Sequence, residues 1–345
     1  MSVKKIVSSF LLVAFFVCPS FSGEGKFDME RWESILNDVR NRAVAKNISE
    51  NTINATLKSP KFVPSIVKSD KNQAEFKLTL DTYLNRVVSK NKISSGLHAK
   101  SKYPTLLGRI EKEYGIPRQV ILAFWGAESN YGEIKSRHKL VDAFFTLMYD
   151  GRREKFFGEQ LLALMKIADD NGLDINGIQG SWAGAMGHFQ FIPTTLEMYG
   201  VDGNTDGKID IINNISDAMA SAANYLNKLG WNANEKIARR VILPADFDKS
   251  LLDGKTKKSL TDWARRGVLN PDGTQIPTGD LTAGLVADVA NLDSSLADDY
   301  NPDSDVAPMP VITAYLTYPN FYRIKRWNNS NWYAIAISEL SEKLK

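Results

Sequence analysis

The sequence predicts a mainly α-helical (α+β) protein with a small antiparallel β region, and three observations support this fold class. Apolar residues recur at helical spacing through the first two thirds of the chain, starting with Trp32 and Ile35. Capping and breaking residues divide this pattern, as where Ser49 precedes and Pro60 follows one helical segment. From residue 237 onward, short segments broken by Gly, Pro and Asp replace the helical pattern, which is typical of strands.

The predicted elements can be placed in chain order. Two helices are expected over 27–58, and a further apolar stripe includes Phe76, Tyr83 and Leu84. The remaining helices are expected over 103–114, 117–131, 141–150, 155–169, 216–229 and 331–345. The predicted strands cover 241–243, 285–289 and 311–316, and the acidic stretch 298–305 is expected to be a solvated loop.

Composition limits the function classes. The chain has 345 residues, 43% of them hydrophobic and 24% charged, as in an ordinary soluble protein of about two domains. A formal charge of +3 on 345 residues is too small to indicate binding of nucleic acid. With 3 His and 1 Cys, neither a His/Cys metal site nor a disulfide framework is expected.

The first 22 residues predict a secretory signal peptide. Lys4 and Lys5 form a basic start, residues 6–17 are apolar but too short to span a bilayer comfortably, and small residues precede a cleavage site before Gly23. Cys18 is the alternative, as a lipid attachment site, but the bulky residue before it disfavours a lipid anchor. We therefore expect the mature chain to be an exported, soluble protein.

One glutamate stands out as a candidate for catalysis. A helix is expected to begin at Pro117 and to end before Gly132. Within it, Phe124, Trp125 and Glu128 fall on one face of an otherwise apolar segment. The sequence thus places a lone carboxyl at the C-terminal end of a mostly apolar helix.

Two effects are expected to raise the pKa of Glu128. Burial disfavours the charged form, and the negative end of the helix dipole opposes a negative charge. A carboxyl that stays protonated near neutral pH is what a general acid needs. The alternative is a structural core glutamate, bonded to an arginine or to a backbone amide.

A glycine-rich segment over 176–193 predicts a loop that lies against a ligand or another backbone. It contains four glycines, which allow close approach. Gln190 stands between Phe189 and Phe191, where it either binds a ligand amide or hydroxyl or bonds to its own loop. No Gly-Lys-Ser/Thr follows, so the segment is not a phosphate loop.

The segment from residue 202 matches the first half of an EF-hand calcium loop. Oxygen ligands fall at positions 1, 3 and 5, glycine at 6, a carbonyl at 7 and a carboxylate at 9. Position 12 is Asn213 instead of glutamate, and Asp217 is the candidate replacement. The sequence predicts a weak Ca²⁺ or Na⁺ site, with an ion-free turn as the alternative. The candidate ligands are Asp202, Asn204, Asp206, Lys208, Asp210 and Asp217.

Aromatic residues concentrate near the end of the chain. Their flat faces suit sugars, but most such rings belong to cores. Tyr322 and Tyr333 are the two predicted to face a groove. The full set is Tyr315, Tyr318, Phe321, Tyr322, Trp327, Trp332 and Tyr333.

Four motifs in this order resemble the membrane-bound lytic murein transglycosylase B family, of the glycoside hydrolase family 103 type. They are the Glu-Ser-Asn-Tyr-Gly of 128–132, the glycine-rich run 180–193, the acidic loop with the helix that follows it, and the segment 320–330. The similarity extends over residues 27–343. Each short motif alone is weak, but their common order and spacing are specific.

The resemblance implies a lysozyme-like core with a helical domain and a small antiparallel β domain. It implies cleavage of the β-1,4 bond between N-acetylmuramic acid and N-acetylglucosamine in peptidoglycan, with 1,6-anhydromuramoyl ends, and Glu128 as catalytic acid. No cofactor is required for this chemistry. The implied substrate-binding residues are Ser181, Met186, Gln190, Phe191, Tyr225, Tyr322 and Tyr333.

The expected organisation has five parts. They are a signal peptide (1–22), an N-terminal helical region (23–115), a catalytic core with the EF-hand-like loop (116–236), a small β-containing region (237–318) and a C-terminal aromatic segment with a helix on the core (319–345). The expected partners are glycan strands and other cell-wall enzymes, and the expected state is a monomer.

The residues fit this chemistry without the analogy. An ordinary glycosidase needs two carboxylates flanking the bond, whereas one glutamate suffices if the substrate supplies its own nucleophile. Two alternatives remain open at this stage: a hydrolytic muramidase with a second carboxylate, and a non-catalytic peptidoglycan-binding protein.

Overall fold

The computed structural model describes residues 27–72, 78–134, 137–289 and 311–345. These residues form a mainly helical protein with small antiparallel sheets, which confirms the predicted fold class. The helices are α1 (Met29–Ala45), α2 (Glu50–Leu57), α3 (Pro64–Lys71), α4 (Leu80–Val87), α5 (Lys90–Lys102), α6 (Pro104–Tyr114), α7 (Arg118–Ser129), α8 (Leu140–Asp150), α9 (Glu154–Asn171), α10 (Pro193–Tyr199), α11 (Ile215–Lys228), α12 (Leu260–Arg265), α13 (Pro319–Trp327) and α14 (Asn331–Lys343).

The strands form two sheets. A two-stranded sheet pairs β1 (His138–Lys139) with β2 (Gln179–Gly180). A four-stranded sheet has the order β3-β6-β5-β4, and all its neighbours are antiparallel. Its strands are β3 (Ala238–Pro244), β4 (Lys258–Ser259), β5 (Thr282–Val286) and β6 (Val311–Thr317). Three of these correspond to the predicted strands.

Several sequence predictions fall outside the described residues. These are the signal peptide over 1–22 with Cys18, the acidic stretch 298–305, and Phe76 in the predicted apolar stripe that also includes Tyr83 and Leu84. Within the described residues, no helix combines the length and apolar character needed to cross a bilayer.

Five helices, α3, α5, α10, α12 and α13, were not predicted, and one capping assignment was wrong. α3, α10 and α12 are short, and the thirteen residues of α5 include four lysines and one glycine, without an apolar stripe. The helix over 215–228 is capped by Asn214, whose side chain accepts from two backbone N–H groups, and not by Ser216. The Ser216 hydroxyl instead donates to the carbonyl of Gly203.

A large hydrophobic core surrounds α7. Residues 120–126 of this helix are all buried, and Ile121 and Phe124 have no exposed surface. α7 packs against α14 on one side and α5 on another. It therefore runs through the centre of the core, and its last turn emerges at the edge.

The packing of α5 on α7 depends on two glycines. The Tyr131 ring lies between Gly96 of α5 and Gly126 of α7, and a β-carbon on Gly126 would stand 2.6 Å from the Tyr131 hydroxyl oxygen. The two helices can enclose this ring only because neither position carries a side chain. Tyr131 also packs edge-on against Trp125, with ring centroids 5.6 Å apart.

The four-stranded sheet encloses a second, smaller core centred on Trp263, whose ring N–H donates to the carbonyl of Ala283 at 2.8 Å. β6 leads directly into α13. The Tyr322 hydroxyl ties α13 back to this region, since it donates to the carbonyl of Gly254 at 2.6 Å and contacts the Thr317 hydroxyl at 2.8 Å. The sheet therefore fixes the helix that carries Trp327.

Candidate active site

Glu128 lies in the last turn of α7. The helix ends directly after it, because Asn130 and Tyr131 adopt left-handed backbone conformations, with φ of 50° and 59°. The Ser129 hydroxyl donates to the carbonyl of His188 at 2.6 Å, which holds this end of the helix against the glycine-rich loop. The carboxyl is thus presented from a helix end that is bonded to the glycine-rich loop.

Two aromatic side chains hold one oxygen of the Glu128 carboxyl. The ring N–H of Trp327 donates to Oε1 at 2.9 Å, and the hydroxyl of Tyr333 donates to the same atom at 2.5 Å. Within the described part of the chain, Oε2 has no hydrogen-bond partner. The second oxygen is therefore the one available to carry and transfer a proton.

Burial raises the pKa of Glu128 to about 7, against the hydrogen bonds from Tyr333 and Trp327 and the charge of Lys92, all of which lower it. The Lys92 ammonium is itself bonded to the carbonyl of Gly126 at 2.7 Å. In the part of the chain that the structure describes, neither an arginine nor a backbone amide holds the carboxyl, in contrast to the structural alternative. The side chain keeps partial solvent contact, as a group that must meet a substrate requires.

A cleft of about 320 Å³ opens beside Glu128. Three predicted substrate-binding residues line it: Gln190, Phe191 and Tyr225. The Trp327 ring packs between two of them, with centroids 5.2 Å from Phe191 and 5.1 Å from Tyr225. The full lining is Glu128, Ala185, Gln190, Phe191, Ile192, Thr195, Tyr225, Trp327 and Asn328.

The loop that carries Gln190 is closed at its base. Met186 and Phe191 exchange two backbone hydrogen bonds of 2.9 and 3.0 Å. Gln190 adopts φ of +50°, an unfavourable conformation for a residue with a side chain, and its amide N–H donates to the carbonyl of Gly187 at 3.0 Å. Gln190 thus bonds to its own loop and lines the cleft, and its contact with substrate stays a prediction.

The other predicted substrate residues lie outside this lining. The Ser181 hydroxyl accepts from the backbone N–H of Ala185 at 3.0 Å, and Met186 is buried. Tyr322 is bonded to the β region, and Tyr333 lies buried behind Glu128 instead of at a groove edge. These positions give Tyr333 a role in holding the acid that the sequence did not indicate.

Trp327 is the main site residue that the sequence analysis did not select. It contributes both a hydrogen bond to Glu128 and an aromatic wall to the cleft. Its position within the motif 320–330 was the available signal. Ile192, Thr195 and Asn328 also line the cleft without having been selected.

The Asp202 loop is closed by its own backbone. The Asp202 carboxylate accepts from the N–H groups of Thr205 at 2.6 Å and Gly207 at 2.7 Å. Asp217 is fully buried, and its two oxygens accept from the N–H groups of Gly203 and Asp210 at 2.9 and 2.8 Å. Asp217 therefore joins the two ends of the loop, which leaves it poorly placed to replace the missing ligand.

The remaining candidate ligands are also engaged locally. The Asn204 amide donates to Asp206 at 2.8 Å, Asp206 accepts from the backbone N–H of Lys208, and Asp210 accepts from that of Asn213. No three acidic, His or Cys side chains in the described ranges converge as a metal site. Ion binding by this loop stays a prediction.

The geometry defines a class of protein. A carboxyl of raised pKa with one unbonded oxygen, beside an aromatic cleft with an amide side chain, forms a site suited to general acid catalysis. Among the described residues that line the cleft, Glu128 is the single acid, which distinguishes this site from an ordinary two-carboxylate glycosidase.

Comparison with known proteins agrees with this class. Residues 31–342 match the family described as "Transglycosylase SLT domain", and the chain belongs to this family. It is 27% identical over 321 residues to the membrane-bound lytic murein transglycosylase B of Escherichia coli K12, covering 92% of this chain and 78% of that protein.

Solved structures agree as well. SltB3 of Pseudomonas aeruginosa in complex with NAG-NAM-pentapeptide is similar with a TM-score of 0.81 and 32% identity, covering 91% of this chain and 79% of that one. Escherichia coli Slt35 in complex with calcium gives a TM-score of 0.73 and 25% identity, covering 91% and 92%. The resemblance predicted from the motifs is confirmed, and this chain is an enzyme of the lytic transglycosylase class.

Proposed function

We propose that this enzyme cleaves the β-1,4 bond between N-acetylmuramic acid and N-acetylglucosamine in peptidoglycan and leaves a 1,6-anhydromuramoyl end. The observation that carries the proposal is Glu128, the only carboxylic acid among the described residues that line the cleft. SltB3, the similar Pseudomonas aeruginosa protein, has structures with NAG-NAM-pentapeptide and with NAG-anhNAM-pentapeptide, which supports the same substrate and product here.

The reaction uses one side chain twice. Glu128 Oε2 donates its proton to the glycosidic oxygen as the bond from that oxygen to C1 of the muramoyl sugar breaks, and N-acetylglucosamine leaves with a free hydroxyl. The 2-acetamido group of the muramoyl sugar stabilises the oxocarbenium-like centre. Glu128, now a carboxylate, takes the proton of the C6 hydroxyl while that oxygen bonds to C1. The proton is returned and no water is consumed.

The partners of Glu128 suit both steps. A pKa of about 7 keeps a large fraction of the carboxyl protonated near neutral pH, so it can act first as an acid. When the carboxylate forms, the hydrogen bonds that Trp327 and Tyr333 donate to Oε1 stabilise it. Oε2 stays directed to the substrate throughout.

Product analysis tests the reaction class. Purified cell-wall sacculi are digested with the enzyme, and the new glycan ends are identified by mass spectrometry. Anhydro ends are expected. Hydrated reducing ends would mean that water is the nucleophile, as in a muramidase, and would overturn the proposal.

The variant Glu128→Gln tests the role of the acid. Turnover is expected to fall at least about a thousandfold, because the amide cannot donate a carboxylic proton. Glycan binding is expected to change less than about threefold, because the aromatic walls remain. Substantial cleavage by this variant would remove Glu128 from the mechanism. Retained binding without any cleavage by the unaltered enzyme would favour a non-catalytic binding protein.

The location and the ion site are separate proposals. Residues 1–22 are proposed to direct export to the periplasm, supported by their basic start and apolar run. N-terminal sequencing of the mature protein is expected to begin near residue 23.

The Asp202 loop is proposed to hold a weak structural Ca²⁺, supported by its ligand spacing. Added Ca²⁺ should raise the melting temperature of the enzyme but not of Asp202→Asn.

A further inference from the structure

His188 contacts the catalytic helix through its imidazole ring. The ring N–H of Trp125 donates to His188 Nδ1 at 3.0 Å, and the two rings pack edge to face with centroids 5.6 Å apart. Trp125 lies one turn before Glu128 on α7. An imidazole can accept at Nδ1 only in the neutral form with its proton on Nε2. Burial lowers the pKa of His188, which favours this form.

The backbone of His188 contacts the same helix at a second point. Its carbonyl accepts from the Ser129 hydroxyl at 2.6 Å, and the same hydroxyl accepts from the backbone N–H of Gly132 at 3.0 Å. Residues on both sides of Glu128 in the sequence therefore bond to His188. Glu128 is held between these two attachments.

The His188 imidazole occupies space that is open only because residue 132 is a glycine. A β-carbon on Gly132 would stand 2.6 Å from His188 Cε1, so a side chain at position 132 would displace the ring. Gly132 also adopts φ of +86°, which favours glycine. Ring and turn therefore fit together as one packed unit.

His188 also lies inside the loop that shapes the cleft. The paired residues Met186 and Phe191 close this loop, and Gln190 bonds to the carbonyl of Gly187 within it. Gln190 and Phe191 line the cleft beside Glu128. His188 thus joins the loop that carries Gln190 and Phe191 to the helix that carries the acid.

We propose that neutral His188 is a positioning residue, which fixes Glu128 relative to Gln190 and Phe191 by accepting the Trp125 hydrogen bond. It does not touch the reacting atoms. Without this bond, the end of α7 and the loop can move apart, and water can reach the carboxyl. The proton donor would then be displaced from the glycosidic oxygen, where small displacements have large effects on rate. This proposal rests on the proposed function.

Three variants test the hydrogen bond with the folded, full-length enzyme. His188→Phe keeps a ring and removes the acceptor, and Trp125→Phe keeps a ring and removes the donor. His188→Asn keeps an acceptor oxygen near the position of Nδ1. Steady-state kinetics on purified glycan strands, the pH profile and the melting temperature are measured for each variant and for the double Phe variant.

The two single Phe variants are expected to lower kcat by roughly 5- to 50-fold with KM changed less than about threefold. Their alkaline limb should move to lower pH, because a wetter Glu128 has a pKa closer to its ordinary value. The kcat of the double Phe variant should be no lower than that of the less active single Phe variant, because both substitutions remove the same hydrogen bond. His188→Asn should stay within about threefold of the unaltered enzyme.

The proposal is overturned if His188→Phe keeps the unaltered kcat and pH profile, or if His188→Asn loses as much as His188→Phe. It is also overturned if the fold-losses in kcat of the two single Phe variants multiply in the double variant, because the two substitutions then act independently. Product ends are analysed in parallel. Hydrated ends from the unaltered enzyme would refute the proposed function, while the kinetic pattern would still decide the role of His188.

Discussion

At the scale of the residue, Glu128 combines two opposing influences. Burial favours its neutral form, whereas the donors Trp327 and Tyr333 favour its charged form, and the balance leaves the pKa at about 7. A deeper carboxyl without donors would keep its proton too firmly, and an exposed one would lose it below neutral pH. An acid that must become a base in the same turnover needs the intermediate value.

The raised pKa of Glu128 predicts a matching pH dependence of activity and stability. Activity should fall as pH rises through about 7, because the acid form is lost. Because the unfolded carboxyl titrates near 4.5, folding stability should be full below that pH and fall by on the order of 3 kcal/mol as pH rises to about 7.

The measurement is urea unfolding at pH 5 and pH 8. Glu128→Gln, which cannot ionise, serves as the control and should lose less stability between these two values than the unaltered enzyme does. Equal losses in the two proteins would mean that Glu128 titrates in its ordinary range.

Removal of the Tyr333 hydroxyl is predicted to raise the pKa of Glu128 further above its ordinary value. The hydrogen bond of this hydroxyl lowers the pKa of Glu128, so Tyr333→Phe should raise this pKa and move the alkaline limb of kcat up by as much as about one pH unit. The rate at the optimum should fall about tenfold, since one hydrogen bond to the forming carboxylate is lost. Tyr315→Phe removes another buried hydroxyl and should leave the limb unmoved.

Part of this site could be predicted from the residues alone. Glu128 stands at the end of an apolar helix, so its burial and its raised pKa followed from local sequence. The donors to its carboxyl did not, because Tyr333 and Trp327 lie 205 and 199 residues away. No periodicity reports such a contact, and Tyr333 was expected to face sugar instead of the acid.

At the scale of the element, helices with a clear apolar stripe were predicted and α5 was not. α5 has few apolar residues, and it is held by its cap, Ser89, and by the close approach of Gly96 to the Tyr131 ring. A helix fixed by absent side chains gives no hydrophobic pattern to detect. Gly126 of α7 is needed for the same close approach to the Tyr131 ring, and the sequence pattern did not indicate this role either.

The contact between α5 and α7 predicts opposite effects for two glycine substitutions. Gly126→Ala should lower the free energy of unfolding by about 1–3 kcal/mol, because its methyl group would meet the Tyr131 hydroxyl. Gly108→Ala in α6 meets nothing within 4 Å and should raise it by about 0.5–1 kcal/mol. Chemical denaturation measures both, and a stabilised Gly126→Ala would contradict this packing.

At the scale of the whole molecule, the site joins parts of the chain that are far apart. The acid comes from α7, the amide and one aromatic wall from the loop 186–191, and the donors from α13 and α14. The small sheet contributes no cleft residue, but β6 leads into α13 and Tyr322 anchors that helix. Fold class and strand positions were predictable because they depend on local pattern, whereas this convergence depends on tertiary packing.

Both donors to Oε1 follow residue 320 in the chain, and this has a consequence for biosynthesis. A ribosome that has made the first 320 residues has already completed Glu128 and the loop of Gln190, but neither side chain that stabilises the ionised carboxyl. A nascent or prematurely terminated polypeptide therefore lacks a working catalyst. The catalytic site of this lytic transglycosylase is complete only after both Trp327 and Tyr333 have been added to the chain.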